Sequence, residues 1–364
     1  MTSVAVSPMS GKSVLFLINQ DLGGGVEYLG RVLSSDLEKR GASCRTCFIY
    51  PASGYNAAAK IPHILHKAKT IAAACPDVII TFQPTASAVA AIAGRLGGCK
   101  VRIVHQSNSP VKSNAIVREI DKLLGSIGAY SVTIANSRAT VSEFADYPKS
   151  YQSRIKLIEH GIPPPVYALE PAAIRAKFAI PADGPLLLMA ARLDLQKGHN
   201  IIVSALSKLP GARLVMAGTG PEKDNLIALA HQTGVENRLH FLGHVGRQDL
   251  TDLYRAASLF VFPSAWETFG LAAVEAAMVG LPVVAAGIPA LREVLTHDGK
   301  TTAHFVGSRT PLAWAAAISE SLNDPDLRRR SEAFALIVQD HYSEDRMMQG
   351  YVDLYSELMA ESIP

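Results

Sequence analysis

The chain has 364 residues, a hydrophobic content of 48% and a formal net charge of +3. That length exceeds one ordinary core and suits two domains of about 150–200 residues each, and a balance so near neutral argues against a dedicated nucleic-acid binder. No stretch approaches a membrane span, and the apolar run at 14–18 is too short for the core of a signal peptide, so a cytoplasmic protein is expected. The charge is uneven: residues 1–165 hold 18 Lys/Arg against 10 Asp/Glu, and residues 166–364 hold 17 against 22. The basic half faces either something acidic, such as an anionic membrane surface or a phosphate-bearing acceptor, or only solvent.

In chain order, strands and helices alternate. Apolar strands are expected at 14–18, 45–50, 77–82, 100–105, 131–135 and 155–159. Between them lie a helix ending near 39 and helices over 56–74, 86–96, 117–128 and 138–144. Cys44 and Cys47 form a C-x-x-C at the second strand, where positions three apart point to opposite faces. No further ligand accompanies them, and with Cys75 and Cys99 they read as thiols of a reducing compartment. The helix at 56–74 carries Lys60, His63, His66, Lys67 and Lys69 beside Ile61, Ile64, Leu65 and Ile71. It is either a solvated face or a surface that docks on a membrane.

Pro163-Pro164-Pro165 opens a stretch to Pro171 that reads as a stiff linker. A second alternating series follows. Its strands fall at 186–191, 213–217, 238–242, 259–262, 283–286 and 302–306. Its helices fall at 172–178, 199–208, 222–232, 250–256, 270–279, 291–295, 311–322 and 327–338. Two such series predict an α/β protein with two doubly wound, parallel sheets and right-handed crossovers. The expected domains are 1–165, 166–342 and a last helix, 343–364. The apolar stripe of that helix (Met347, Met348, Tyr351, Leu354, Tyr355, Leu358) predicts packing back on the first domain.

Ligands of such sheets bind beyond the carboxyl ends of the strands. In the first series those ends carry Gly23-Gly24-Gly25, His105-Gln106-Ser107-Asn108 and Asn136-Ser137-Arg138. The glycines allow close backbone approach to a ligand or a tight turn. His105 is either structural or functional, and the third segment is either a site or a helix cap. In the second series, Arg192 and Lys197 follow a buried strand; a guanidinium fork and an ammonium suit a diphosphate, or are two surface cations. Gly218-Thr219-Gly220-Pro221 is another glycine loop at a strand end.

The most informative stretch is 258–287, SLFVFPSAWETFGLAAVEAAMVGLPVVAAG. Its helix is apolar on all sides but for Glu275, so it reads as a buried helix holding one carboxylate. A charge there needs donors. Arg192 is the protein candidate; a ligand's hydroxyls are the other. Glu267 lies in the loop just before the helix, and the amides of Phe269, Gly270 and Leu271 lie between the two acids. Helix N-terminal amides favour phosphate and carboxylates favour hydroxyls. A nucleotide sugar offers both.

Taken together, Gly23-Gly24-x-x-Glu27, His105, Arg192-x4-Lys197-Gly198, Gly218-x-Gly220-Pro221, Phe241-x-Gly243 and Pro263-Ser264-x-x-Glu267-x-Phe269-Gly270 with Glu275 resemble the GT4 family of retaining glycosyltransferases. The resemblance covers nearly the whole chain. It implies the GT-B architecture, two Rossmann-like domains facing across a cleft that closes by hinge motion at 163–171. The first domain would take the acceptor and the second the donor, a UDP- or GDP-linked sugar, with no metal and no further cofactor. Glu275 would bind the ribose; Arg192 and Lys197 the diphosphate, assisted by the amides of Phe269, Gly270 and Leu271. Glu267 and His105 would hold the donor sugar. Gly24 and Gly25 would lie near the phosphates and acceptor, Gly218 at the donor site, and Arg238 to Phe241 beside the base. The acceptor would be a glycan or lipid-linked molecule of cell-surface polysaccharide or glycolipid synthesis, met at the inner face of the cytoplasmic membrane. Another GT-B enzyme, such as an epimerase or phosphorylase, or a non-catalytic sugar-binding relative, is the alternative. Two positions depart from the common pattern: His160-Gly161, where many members have Asn-Gly, and Ala290, where many carry an acid. Asp324-Pro325-Asp326 spells D-x-D, a metal-holding pattern elsewhere, but here it joins two helices and Asp326 is placed to cap the second.

Overall fold

The computed structural model describes residues 8–19, 25–50 and 57–361, apart from the side chains of 57–61 and 361. It forms two compact units, Met1–Gly161 with Glu344–Pro364, and Ile162–Ser343. The first runs β1 (Ser13–Ile18), α1 (Gly25–Lys39), β2 (Ser43–Phe48), α2 (Ala57–Ala74), β3 (Val78–Thr81), α3 (Pro84–Leu96), β4 (Val101–His105), α4 (Ala115–Ser126), β5 (Val132–Ala135), α5 (Arg138–Ser142), α6 (Lys149–Gln152) and β6 (Ile155–Leu157). The second runs α7 (Pro171–Lys177), β7 (Leu186–Ala190), α8 (His199–Leu206), β8 (Arg213–Ala217), α9 (Lys223–Thr233), β9 (Leu239–Gly243), α10 (Arg247–Ala256), β10 (Leu259–Phe262), α11 (Leu271–Met278), β11 (Val283–Ala286), α12 (Pro289–Val294), β12 (His304–Val306), α13 (Pro311–Leu322) and α14 (Leu327–His341). The chain then returns to the first unit in α15 (Glu344–Glu361).

The first sheet is six-stranded, ordered β2-β1-β3-β4-β5-β6, and every neighbouring pair is parallel. Its inner strands are mostly apolar because helices cover both faces: β3 and β5 are buried at all four positions, Thr81 and Thr133 included. Edge strand β2 is half-exposed, and Cys44 and Cys47 lie in it. On one face, Leu29, Leu33 and Leu37 of α1 pack with Phe16, Ile80 and Ile103. Met347, Tyr351, Leu354, Tyr355 and Leu358 of α15 belong to that same core. Tyr28 Oη donates to Glu344 at 2.8 Å and Lys156 pairs with Glu357 at 2.7 Å, which fixes both ends of α15.

The second sheet is ordered β12-β11-β10-β7-β8-β9, again parallel throughout. Helix α11 is apolar nearly all round and sits in the core, as its composition predicts. The chain enters and leaves this unit side by side: Ile162 bridges Ser343, and Ile162 N–H donates to Tyr342 O at 2.8 Å. The stretch at 163–171, expected to be a linker, is fixed to the second unit. The amides of Ala168 and Leu169 donate to the buried Asp252 carboxylate at 3.0 and 3.2 Å, and Pro171 opens α7.

Asp326, expected to cap α14, does not do so; Asp324 instead accepts from the Asp326 N–H at 3.1 Å. Asp326 occupies the N-cap of α14 but has helical dihedrals and makes no side-chain cap bond. Its carboxylate pairs with Arg329 at 3.1 Å, and Asp324 with Arg330 at 2.5 Å, because three successive arginines open that helix.

Candidate functional site

In the second sheet the chain runs outward from β7 through β8 to β9, then returns to β10 on the other side of β7 and continues to β11 and β12. The order reverses between β7 and β10, and the carboxyl ends of that pair are where an open α/β sheet forms its crevice. The loops leaving them, 191–198 and 263–270, carry Arg192, Lys197, Glu267 and the start of α11.

These loops are locked to each other. Ala265 N–H donates to Gln196 O, and Gln196 Nε2 to Trp266 O, both at 2.8 Å. Asp194 caps the turn Leu195–Lys197 by accepting from Lys197 N–H at 3.2 Å. Gly198 ends that turn with φ +69°, and a Cβ there would lie 2.6 Å from Pro263 O. Both requirements select glycine. The next loop, after β8, is layered on the first. Side chains at Gly218 or Gly220 would collide with the carbonyls of Ala191 or Leu193. Leu193 N–H donates to Thr219 O at 2.9 Å, and Glu222 N–H to Leu193 O at 3.1 Å. The glycines of Gly218-x-Gly220 therefore support the loop that carries Arg192.

Lys197 Nζ lies 2.6 Å from Glu267 Oε1, and both side chains are largely buried. Ser264 Oγ donates to the same oxygen at 2.6 Å, and Nζ also stands 5.6 Å from the centre of the Phe262 ring. Arg192 is exposed and pairs with Asp194 at 2.6 Å. The N-cap of α11 is Gly270, with φ +93° and its α-carbon against Leu291. Phe269 is buried edge-on against Tyr342. The first amides of α11, from Leu271 onward, follow Glu267 directly at the end of the same loop.

Glu275, one turn into α11, faces a cavity of about 350 Å³ whose walls include Pro163, Pro164, Arg247, Tyr254 and Met278. The buried Tyr254 hydroxyl donates to Oε2 at 3.2 Å, and Arg247 Nη2 lies 4.0 Å from Oε1. Burial pushes the Glu275 carboxyl upward; the Arg247 charge and the Tyr254 hydroxyl partly offset it. The protein partner of Glu275 is therefore Arg247, not Arg192, because Arg192 is turned to Asp194 on a different loop.

Arg238, expected beside the base, lies elsewhere. It precedes β9, at the amino end of the strand, and its guanidinium donates to the carbonyls of Leu206, Leu209 and Ala212 at 2.9, 2.7 and 3.3 Å. It ties α8 and its following turn to the sheet, at the edge opposite the crevice. Phe241, inside β9, is half-buried, with Lys223 Nζ at 5.9 Å from its ring centre.

In the first unit His105 ends β4 and is buried. It stacks on Phe82, with ring centres 4.8 Å apart, and Tyr351 Oη of α15 lies 3.1 Å from Nε2. Burial, reinforced by the nearby His160, lowers its pKa to about 3, so the ring is neutral. His160 is lowered by burial to about 4, and its Nε2 lies 3.1 Å from Asn136 Nδ2. Ser137 caps α5 through Thr140 N–H at 3.0 Å. Gly25 opens α1, whereas Gly23 and Gly24 lie outside the described residues.

Sequence reasoning missed Asp194, Ser264, Arg247 and Tyr254. Asp194 and Ser264 sit inside the quoted motifs, and their spacing to Lys197 and Glu267 was the available signal. Arg247 and Tyr254 meet Glu275 only through the packing of α10 on α11.

Residues 171–335 match the family model of glycosyl transferases group 1. The chain is 33% identical over 243 residues to a D-inositol 3-phosphate glycosyltransferase of Xylanimonas cellulosilytica, covering 64% of this chain and 58% of that protein. A protein of the same name from Mycolicibacterium smegmatis is 32% identical over 263 residues, 69% of this chain and 57% of the relative. The chain thus spans less than two thirds of the length of these curated relatives. Among solved structures, Anabaena HepE in complex with UDP and glucose superposes with a TM-score of 0.80 at 21% identity, over 95% of this chain and 100% of that one. The sucrose-phosphate synthase of Thermosynechococcus elongatus gives 0.83 at 19% identity, over 96% and 100%. These structures share the GT-B fold with this chain. Through residues 171–335 of its second unit, the chain is thus similar to the glycosyl transferases group 1 family.

Proposed function

We propose that this chain is a retaining glycosyltransferase that moves a sugar from a UDP- or GDP-linked donor to a glycan or lipid-linked acceptor. It would act in cell-surface polysaccharide or glycolipid synthesis, in the cytoplasm and in peripheral contact with the inner face of the membrane. The observation that carries the reading is the buried Lys197–Glu267 pair at the β7/β10 reversal, with Glu267 in the loop that leads into α11. HepE, whose structures hold UDP and UDP-glucose, supports a nucleotide sugar as the donor.

In this reading the bond between the sugar's anomeric carbon and the diphosphate oxygen breaks, and negative charge collects on the departing diphosphate. Arg192, Lys197 and the amides at the start of α11 stabilise that charge, and because they are fixed in place beforehand they need little reorganisation. No metal is called for. On donor binding Lys197 turns from Glu267 to phosphate, which frees the Glu267 carboxylate for sugar hydroxyls. Glu275, held by Tyr254, takes the ribose. The acceptor hydroxyl attacks from the same face, its proton passing to the departing phosphate, so configuration is retained.

Nucleotide sugars are screened for thermal stabilisation, and nucleoside diphosphate release is then followed in wild type and Glu267→Ala, with and without a chelator. At least one donor should stabilise the protein, chelator should leave release unchanged, and Glu267→Ala should abolish it. No stabilisation by any nucleotide sugar or nucleoside diphosphate refutes the reading.

A further inference from the structure

The helical layer on one face of the first sheet presents apolar side chains to solvent. Along α4 and its C-cap, Ile116, Ile120, Leu123 and Ile127 recur at helical spacing and are 71%, 45%, 61% and 61% exposed. Helix α3, which packs beside α4, adds Ile92 and Leu96, and Val111 lies in the turn ahead of α4; each is more than half exposed. A surface helix ordinarily turns its apolar stripe inward. Here the inward contacts of α4 include a glycine and an acid: Gly125 sits directly against the Tyr151 ring, and Asp121 accepts from Tyr151 Oη at 2.9 Å. The stripe is left facing out, and contiguous exposed apolar surface of this kind marks an interaction site.

The charge around the stripe selects the partner. Residues 57–127 hold nine Lys/Arg against three Asp/Glu. The acids are already engaged: Asp77 with Ser13 and Lys12, Glu119 with Arg118, Asp121 with Tyr151. Arg95, Lys100 and Lys112 are exposed near the stripe. A second copy of this face would bring like charges together. We propose that the α3–α4 face docks on an anionic lipid bilayer, with the apolar side chains entering the acyl boundary and the cations lying on the headgroups. Helix α4 follows β4, so docking would bring the His105 edge of the sheet toward the membrane. The inference gives a location to the membrane contact in the proposed function. It rests on that reading for its purpose but not for its test, which measures binding and not transfer.

The full chain is floated with vesicles of phosphatidylcholine alone and of phosphatidylcholine mixed with phosphatidylglycerol. The protein is expected to float with the anionic vesicles, to stay behind with the neutral ones, and to be released by high salt. Ile120→Glu with Leu123→Glu should lower the bound fraction roughly tenfold, with an unchanged melting temperature because both positions are exposed. Arg95→Glu with Lys112→Glu should weaken binding to anionic vesicles in the same direction. Nucleotide-sugar binding by the Ile120/Leu123 variant should stay at the wild-type level; a parallel loss of donor binding overturns the assignment of these residues to docking. Indifference of the wild type to anionic vesicles overturns the proposal, and so does unchanged binding by the variants. A wild-type dimer that ignores vesicles and is dispersed by Ile120→Glu with Leu123→Glu assigns the face to self-association instead.

Discussion

Replacing Lys197 by methionine keeps most of the side-chain volume and removes the ammonium 2.6 Å from Glu267. The carboxylate keeps the Ser264 hydroxyl at 2.6 Å but loses its charged partner in a largely buried place. Removing one member of a buried pair costs about 3–5 kcal/mol, and the surviving hydrogen bond offsets about 1 kcal/mol. A domain the size of the second unit loses roughly 2–4 °C per kcal/mol, so its melting midpoint should fall by roughly 5–15 °C. The double variant Lys197→Met, Glu267→Gln has no stranded charge and should recover much of that loss. Turnover follows a different course. A charged hydrogen bond to the leaving diphosphate contributes about 1.5–3 kcal/mol, so release of nucleoside diphosphate should slow by roughly 10- to 150-fold in Lys197→Met, and further in the double variant, well below the melting range. Thermal melts and a nucleotide-release assay on the four proteins of the cycle measure both effects. A double variant that melts no higher than Lys197→Met would show that the two side chains are not coupled, and the reasoning fails.

Gly218→Ala should lower the melting temperature by several degrees and weaken donor binding, since the new methyl meets the Ala191 carbonyl at φ +151° and displaces the Arg192 loop; a wild-type melt contradicts this. Burial raises the Glu275 carboxyl above 4.5, so the folded chain holds that proton more tightly than the unfolded one. Stability from this site then falls as pH rises from about 4.5 through the folded value; Glu275→Gln should flatten that part of the curve in denaturant titrations, and an unaltered curve argues against it. His160 runs the other way: lowered from 6.5 to about 4, it resists a proton the unfolded chain accepts, so stability falls as pH drops below 6.5. At pH 5 the loss is about 2 kcal/mol; His160→Gln should remove it, and equal acid sensitivity in the variant counts against the burial argument.

The alternation of apolar runs with helical stretches was enough to place both sheets, because strands buried on both faces carry nearly continuous hydrophobic sequence. The same signal put Arg192, Lys197, Glu267 and Glu275 at strand ends or on the following helix. Arg238 differs from them by the same rule: a residue before a strand lies at its amino end, away from the crevice. Gly218 and Gly220 are marked in the sequence as places of close approach, but nothing in it shows that the approaching backbone is that of Ala191 and Leu193. Tyr254 looks like ordinary core in an amphipathic helix, and its hydroxyl acquires a partner only once α10 meets α11. The outward stripe of α4 reads as core-facing in one dimension, because periodicity shows that a face exists and not which way it points.

The return of α15 to the first unit makes the second unit an insertion within the first. All of Ile162–Ser343 is continuous in sequence, whereas the core around Phe16 and Ile80 lacks Met347, Tyr351, Leu354, Tyr355 and Leu358 until Glu344–Glu361 emerges. During synthesis, then, the first unit is begun before the second and completed after it. A ribosome-bound chain stopped before Glu344 carries a finished second unit and a first unit with an uncovered apolar face, the state in which chaperones would find it.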